Sequence, residues 1–446
     1  MARANRGAWW LALTLWGAQA WAGPVPAAEV DRVRFDDAIA QALRRNLTIA
    51  AAQLDLQRAQ ALTAQARAAS MPTLTLAGSF VRLDGDRILG TGDMTRLVAG
   101  ANQLGGNLTA SVPIVAPARW AGWLHAQDNQ RVAAISQTEV RRTVAIATAR
   151  ACLQVVAGQR LVEVSEQAQR TAQAHSEYAN QRLAGGLGNR LDAVRADSEL
   201  QSAGSQLALS RSALLRSQEA LGILLAADRP IDCRDVPTFA EADGLADDLH
   251  GARDGAVEPS SLLDLSLLRG DLRLWQARAW AAARVVRHGW TDFLPQLNFA
   301  FAPFYQDPPS ITQPQLGWQA RLDLTWALFD GGLRYGVRAE RWTLYHQTKN
   351  SQRMAQLQAR SDVRTAAFAL RQTVQAGSHT GAAARFADEA STLSMKAYRA
   401  GISNNLAVID AERRARDAGT AAAQAEDAMR QARLDLLIAA GRFPAP

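Results

Sequence analysis

The chain has 446 residues, 48% of them apolar, and a formal net charge of +7. That length suffices for two or three ordinary domains. The basic excess falls by two if Arg3 and Arg6 leave with a leader, and the rest is spread without the aromatic-studded basic stripe of a nucleic-acid groove, so nucleic acid is excluded as a partner.

The N-terminus carries Arg3 and Arg6, the apolar run Ala8–Ala18 and then Ala20-Trp-Ala22, the pattern of a secretory signal peptide spanning residues 1–22. Beyond it, no apolar run reaches the length of a membrane-spanning helix, and no Cys follows the cleavage point to take a lipid anchor. Residues 23–34 read as a Pro/Ala linker. Phe35–Asn46 is a short amphipathic helix, and Leu47–Ser70 continues as helix until Pro72.

The period then changes to two. Leu74, Leu76, Gly78 and Phe80 alternate with Thr73, Thr75, Ala77 and Ser79, and the pattern resumes with Leu108, Ala110 and Val112, which predicts strands over about 72–90 and 104–115. From Trp120 to about Leu183 there is no Pro, and Val140, Val144, Ala147, Ala151, Val155, Gly158 and Val162 step by three and four. Some 65 residues of helix would span roughly 100 Å. The run turns at Arg182-Leu-Ala-Gly-Gly-Leu-Gly-Asn-Arg-Leu191, where Gly185, Gly186 and Gly188 let the backbone reverse through positive φ and Asn189 is placed to cap the next helix. Leu200, Leu207, Leu214 and Leu221 then repeat every seven residues as a coiled-coil seam. The predicted hairpin covers about 118–227 and closes a first unit of residues 23–230.

Residues 231–260 are irregular and acidic and read as a linker. The pattern then starts again over 261–446. Phe293-Leu-Pro-Gln-Leu-Asn-Phe299 matches Ser70-Met-Pro-Thr-Leu-Thr-Leu76 without a gap. Strands are predicted over about 295–306 and 315–329, and a helical hairpin over about 332–441. Its turn, Ala397-Tyr-Arg-Ala-Gly-Ile-Ser-Asn-Asn-Leu406, aligns Gly401 with Gly186, Leu406 with Leu191 and Glu412 with Asp197, with Ser403 offered as the cap. This is an internal repeat.

Four strands of about ten residues, separated in pairs by long helices, make a poor soluble sheet but are the length of tilted membrane strands. A sheet in lipid must close, and barrels have about eight strands or more, so one chain is not enough. The expected fold is therefore an α+β membrane protein that oligomerises.

At this point the chain resembles the outer-membrane efflux proteins of the TolC family. The residues that carry the resemblance are Phe293-Leu-Pro-Gln-Leu297, Trp326-Ala-Leu-Phe-Asp-Gly-Gly332 and the two turns with their outgoing helices Leu191–Asp197 and Leu406–Glu412. The resemblance implies a homotrimer, a twelve-stranded outer-membrane β-barrel continued by a periplasmic α-barrel, and an equatorial belt at residues 231–260. It implies a passive export duct, with outer-membrane lipid around the barrel, and a periplasmic adaptor protein, backed by an inner-membrane pump, at the tips. The docking tips would be Arg182, Gly185, Gly186, Leu187, Arg399, Gly401 and Ile402. A periplasmic aperture would fall at Asp410, Asp192 and Tyr398, although Ala407 and Ser403 stand where the best-known member has an Asp and an Arg, which suggests a looser closure. The first strand-to-helix corner also departs from the pattern, with Val115-Ala-Pro-Ala118 in place of Phe329-Asp-Gly-Gly332.

Two alternatives compete with the duct. A periplasmic coiled-coil adaptor or scaffold has one hairpin with soluble β domains, not two hairpins interleaved with alternating strands. An enzyme needs a nucleophile–base pair, a phosphate loop or paired carboxylates, and none appears; the six His residues lack metal-ligand spacing, so no cofactor is expected. The two cysteines, Cys152 and Cys233, are a possible disulfide in an exported protein, or two separately buried thiols.

Overall fold

The computed structural model describes residues 31–90, 96–251, 269–310 and 313–443; the predicted signal peptide lies outside the described residues. The first unit opens with a short strand, β1 (Asp31–Arg34), and two helices, α1 (Phe35–Arg45) and α2 (Leu47–Ala68). The strands β2 (Thr73–Arg82) and β5 (Asn102–Val115) follow, with a small ribbon of β3 (Arg87–Leu89) and β4 (Arg96–Ala99) between them. Then come α3 (Pro117–Ala184) and α4 (Arg190–Leu224). The second unit repeats this with α6 (Gly270–His288), β7 (Gln296–Asp307), β8 (Leu316–Thr325), α7 (Leu333–Arg399) and α8 (Asn405–Ala439).

Each long helix packs on two helices of its own unit, α2 and α4 for α3 and α6 and α8 for α7, and α3 also packs on α6 and α8 across the two units. At 68 and 67 residues, α3 and α7 are each about 100 Å long. The α3–α4 seam is made of small residues: Ala172, Ala179, Ala193, Ala196 and Ala203 are buried, and Ser165 Oγ meets Ser210 Oγ at 3.0 Å. A Cβ on Gly158 would stand 3.2 Å from Leu214 Cδ1, so the helices approach closely there. Of the predicted leucine seam, Leu207 and Leu221 are buried.

The four long strands form one antiparallel sheet in the order β2-β5-β7-β8, with Val112 opposite Phe299 where the two units join and Phe299 opposite Leu322 in the last pair. Among the described residues, both outer edges, on β2 and β8, are unpaired. The sheet's large apolar side chains face outward rather than into a core. Leu74, Leu76 and Phe80 on β2 and Leu316, Trp318, Leu322 and Leu324 on β8 are all more than 60% exposed. Among the described residues, no helix is long and apolar enough to cross a membrane.

The apolar core sits elsewhere, at the middle of the helices. Phe35 and Ala42 of α1, Cys152 and Val155 of α3, Leu221 of α4, Leu370 of α7 and Leu434 and Leu436 of α8 pack into one cluster. Part of the expected linker lies outside the described residues; over those described, up to Gly251, the inter-unit segment is more ordered than an irregular linker. It forms β6 (Ile231–Arg234), which pairs in parallel with β1, and α5 (Glu241–Gly251), whose Leu245 joins the cluster. The β1 strand is likewise built from residues expected to be linker. Cys152 and Cys233 do meet here, but as free, fully buried thiols rather than as a disulfide. A hydrogen bond between them, reinforced by burial, pushes the Cys152 thiol well above the ordinary range.

Candidate functional site

The two hairpin turns have the same backbone. At the first, Leu187 N–H bonds Arg182 C=O at 2.9 Å and Gly186 N–H bonds Leu183 C=O at 3.1 Å; at the second, Ile402 bonds Ala397 at 2.9 Å and Gly401 bonds Tyr398 at 3.0 Å. Both are Schellman closures, in which one left-handed residue ends the helix. Gly186 (φ +73°) and Gly401 (φ +77°) are those residues. Gly185, also expected to need positive φ, has φ −78°. Gly188 is required for a different reason, since a Cβ there would lie 2.8 Å from the Leu183 nitrogen. Asn189 caps α4 by accepting from Leu191 N–H at 3.0 Å, as expected. The cap of α8 is Asn404, which accepts from Ala407 N–H at 2.8 Å, and not Ser403. Leu187 and Ile402 project from the two tips, 78% and 82% exposed.

Immediately behind the tips the two hairpins are tied together by polar and aromatic contacts. Arg182 and Arg399, expected to face a partner at the tips, lie over tyrosines of the opposite hairpin. The Arg182 guanidinium is 5.1 Å from the Tyr398 ring centre, and that of Arg399 is 5.6 Å from Tyr178. Tyr178 and Tyr398 meet edge to face at 5.8 Å. Tyr398 is 5% exposed. Burial pushes its phenol above the usual range, opposed by Arg182 and reinforced by Asp192. Asp192 and Arg182 thus both act on the buried Tyr398 phenol, with Arg182 bringing a guanidinium to it from the opposite hairpin.

Deeper along the helices the ties are charged and buried. Glu199 on α4 is 3% exposed and accepts from Arg413 Nε at 2.7 Å and Arg416 Nη1 at 2.6 Å, both on α8. His175 on α3 is 1% exposed, with Nδ1 2.9 Å from Glu412 Oε2 and Nε2 2.7 Å from Asn405 Oδ1. Asn405 in turn donates to the Asp192 carbonyl at 3.0 Å. Asp197, the repeat equivalent of Glu412, accepts from Ser176 Oγ at 2.6 Å and Asn180 at 3.0 Å, so both acids reach back to α3. The sequence analysis does not point to His175, Asn405 or Glu199, and it gives Glu412 only as the repeat equivalent of Asp197. Asp410 does not join this network; it is exposed and pairs with Arg414, one turn along, at 2.9 Å. Among the described residues no group of His, Cys, Asp and Glu has metal-site geometry.

The arrangement is a set of helices joined behind their tips by a polar junction, with an open apolar sheet at the far end. The model of the outer membrane efflux protein family matches residues 38–227 and 265–442. The chain belongs to that family. Its fold is that of solved outer-membrane channels: VceC of Vibrio cholerae (17% identity, TM-score 0.72, covering 91% of this chain and 96% of that one), the CmeC channel of Campylobacter jejuni (13%, 0.74, 91% and 85%) and the open state of the MtrE channel of Neisseria gonorrhoeae (19%, 0.70, 92% and 89%). No curated protein matches in sequence. Membership makes this an outer-membrane protein and an export duct, in a family of channels rather than of enzymes.

Proposed function

We propose that three chains close their sheets into one twelve-stranded barrel in the outer membrane, continued into the periplasm by an α-barrel of the long helices, and that cargo passes through without chemistry. The observation that carries this is the four-stranded sheet with two open edges and an outward apolar face. An open strand edge is not tolerated in lipid, and burying Leu74, Leu316 or Trp318 against hydrocarbon stabilises each by roughly 1.5–3 kcal/mol. The tips, with exposed Leu187 and Ile402, dock a periplasmic adaptor that connects to an inner-membrane pump. The aperture lies at the polar junction behind them, around Tyr398, Asp192 and Asp410. In detergent, the unboiled protein is expected to migrate as a trimer and to conduct ions in planar bilayers. A monomer that remains stable in the membrane fraction would overturn the assembly.

A further inference from the structure

With Glu412 ionised, His175 has no satisfied neutral form in this fold. Both of its neighbours are acceptors: the Glu412 carboxylate at Nδ1 and the Asn405 amide oxygen at Nε2. A neutral imidazole donates from one nitrogen only, so its other lone pair would face an oxygen. Turning the Asn405 amide over does not help, because its nitrogen is committed to the Asp192 carbonyl at 3.0 Å. The imidazolium meets both demands, and Glu412, whose side chain is 7% exposed, supplies the countercharge.

The surroundings agree. Facing this pair are Tyr178 on the same helix, Glu199 on α4, Tyr398 on α7 and, on α8, Glu412 itself with Arg413 and Arg416 held on Glu199. Burial pulls the His175 pKa down, but the bonds and charge of Glu412, the bond to Asn405 and the charge of Glu199 outweigh it, so the net direction is up. A cavity of about 390 Å³ between the hairpins reaches Glu412 and Glu199 and is rimmed by Arg385 and Asp388 of α7. The buried Glu412 Oε1 has no protein partner, so a water in that cavity can serve it and relay the proton.

We infer that His175 is a proton-operated clasp between the two hairpins, closed when the imidazole is charged and released when it is neutral. The sign is fixed by linkage. A histidine whose folded pKa is raised contributes fully below its ordinary value of about 6.5, and the contribution is lost as pH rises through the folded pKa. The clasp joins α3 to the first turns of α8, so its release removes one of the ties between the two hairpins just behind the tips and leaves those of Glu199 and Arg182 to hold the rest. That the freed hairpin widens the pore rests on the duct reading above; the clasp itself does not.

The test is hydrogen–deuterium exchange on the full-length protein in detergent, read on the segment Asn405–Arg416 and corrected for intrinsic rates. The corrected rate is expected to rise by about tenfold for each unit by which the histidine pKa is elevated, between pH ~6 and pH ~9. His175→Gln, which cannot titrate, is expected to abolish the step. Glu412→Gln keeps the ring but removes the countercharge and is expected to move the step to lower pH. A wild-type segment with no pH step, the same step in His175→Gln, or an unmoved step in Glu412→Gln would each overturn the clasp. Bilayer conductance over the same range then reads the gate separately: a rise with the exchange step supports it, and a flat conductance beside a normal exchange step refutes the gating role while leaving the clasp.

Discussion

The same helices are fastened in two different ways at two levels. At the belt, α3, α4, α7 and α8 share an apolar core in which Leu221, Leu370, Leu434 and Leu436 are no more than 1% exposed. Behind the tips, buried positions are taken by His175, Glu199, Asn405 and Glu412. Apolar packing has no switch short of unfolding, because its strength follows area removed from water. A buried polar junction holds only while every donor and acceptor is matched, so one proton or one displaced partner changes it sharply. On the proposed duct reading, this apolar core is the fixed collar and the junction is the movable end.

This contrast can be broken at either level. The largest stability effect is expected at the belt. Leu436→Ala should cost about 3 kcal/mol by leaving a cavity in the collar, seen as a lower melting temperature of the assembled protein. Glu199→Gln should cost less, about 2–3 kcal/mol, discounted because Arg413 is half exposed. Its effect should be local, seen as faster exchange of α8 near Arg413 and Arg416 with the belt unchanged. Asp410→Ala should change stability by under about 1 kcal/mol, since its pair with Arg414 is exposed. If three copies ring the aperture, that variant should still weaken cation selectivity in single-channel recordings; unchanged selectivity would remove Asp410 from the pore.

Much of the duct was legible because its signals are local. Strand alternation at Leu74–Phe80 and Leu316–Trp326, the Pro72 and Pro295 boundaries and the turn glycines each declare themselves within ten residues or so. The first-choice cap of α8 missed by one residue, yet the repeat itself pairs Asn189 with Asn404 and pointed to the right position. What was not legible is long-range. His175 and Glu412 are 237 positions apart, and β1 finds β6 across 200 residues, so nothing near either partner announces the pairing. Arg182 reads from the sequence as a tip residue, and only the packing of the second hairpin puts Tyr398 beneath it. His175 was passed over because histidine spacing was read for metals, and a histidine between two acceptors has no spacing at all.

The claim that the polar junction moves while the apolar collar holds is tested most directly by bilayer conductance of Glu199→Gln beside Leu436→Ala. The account predicts that Glu199→Gln raises single-channel conductance, because it unties α4 from α8 behind the tips, and that Leu436→Ala leaves conductance at the wild-type level despite its lower melting temperature. Conductance raised by Leu436→Ala and unchanged by Glu199→Gln would contradict it.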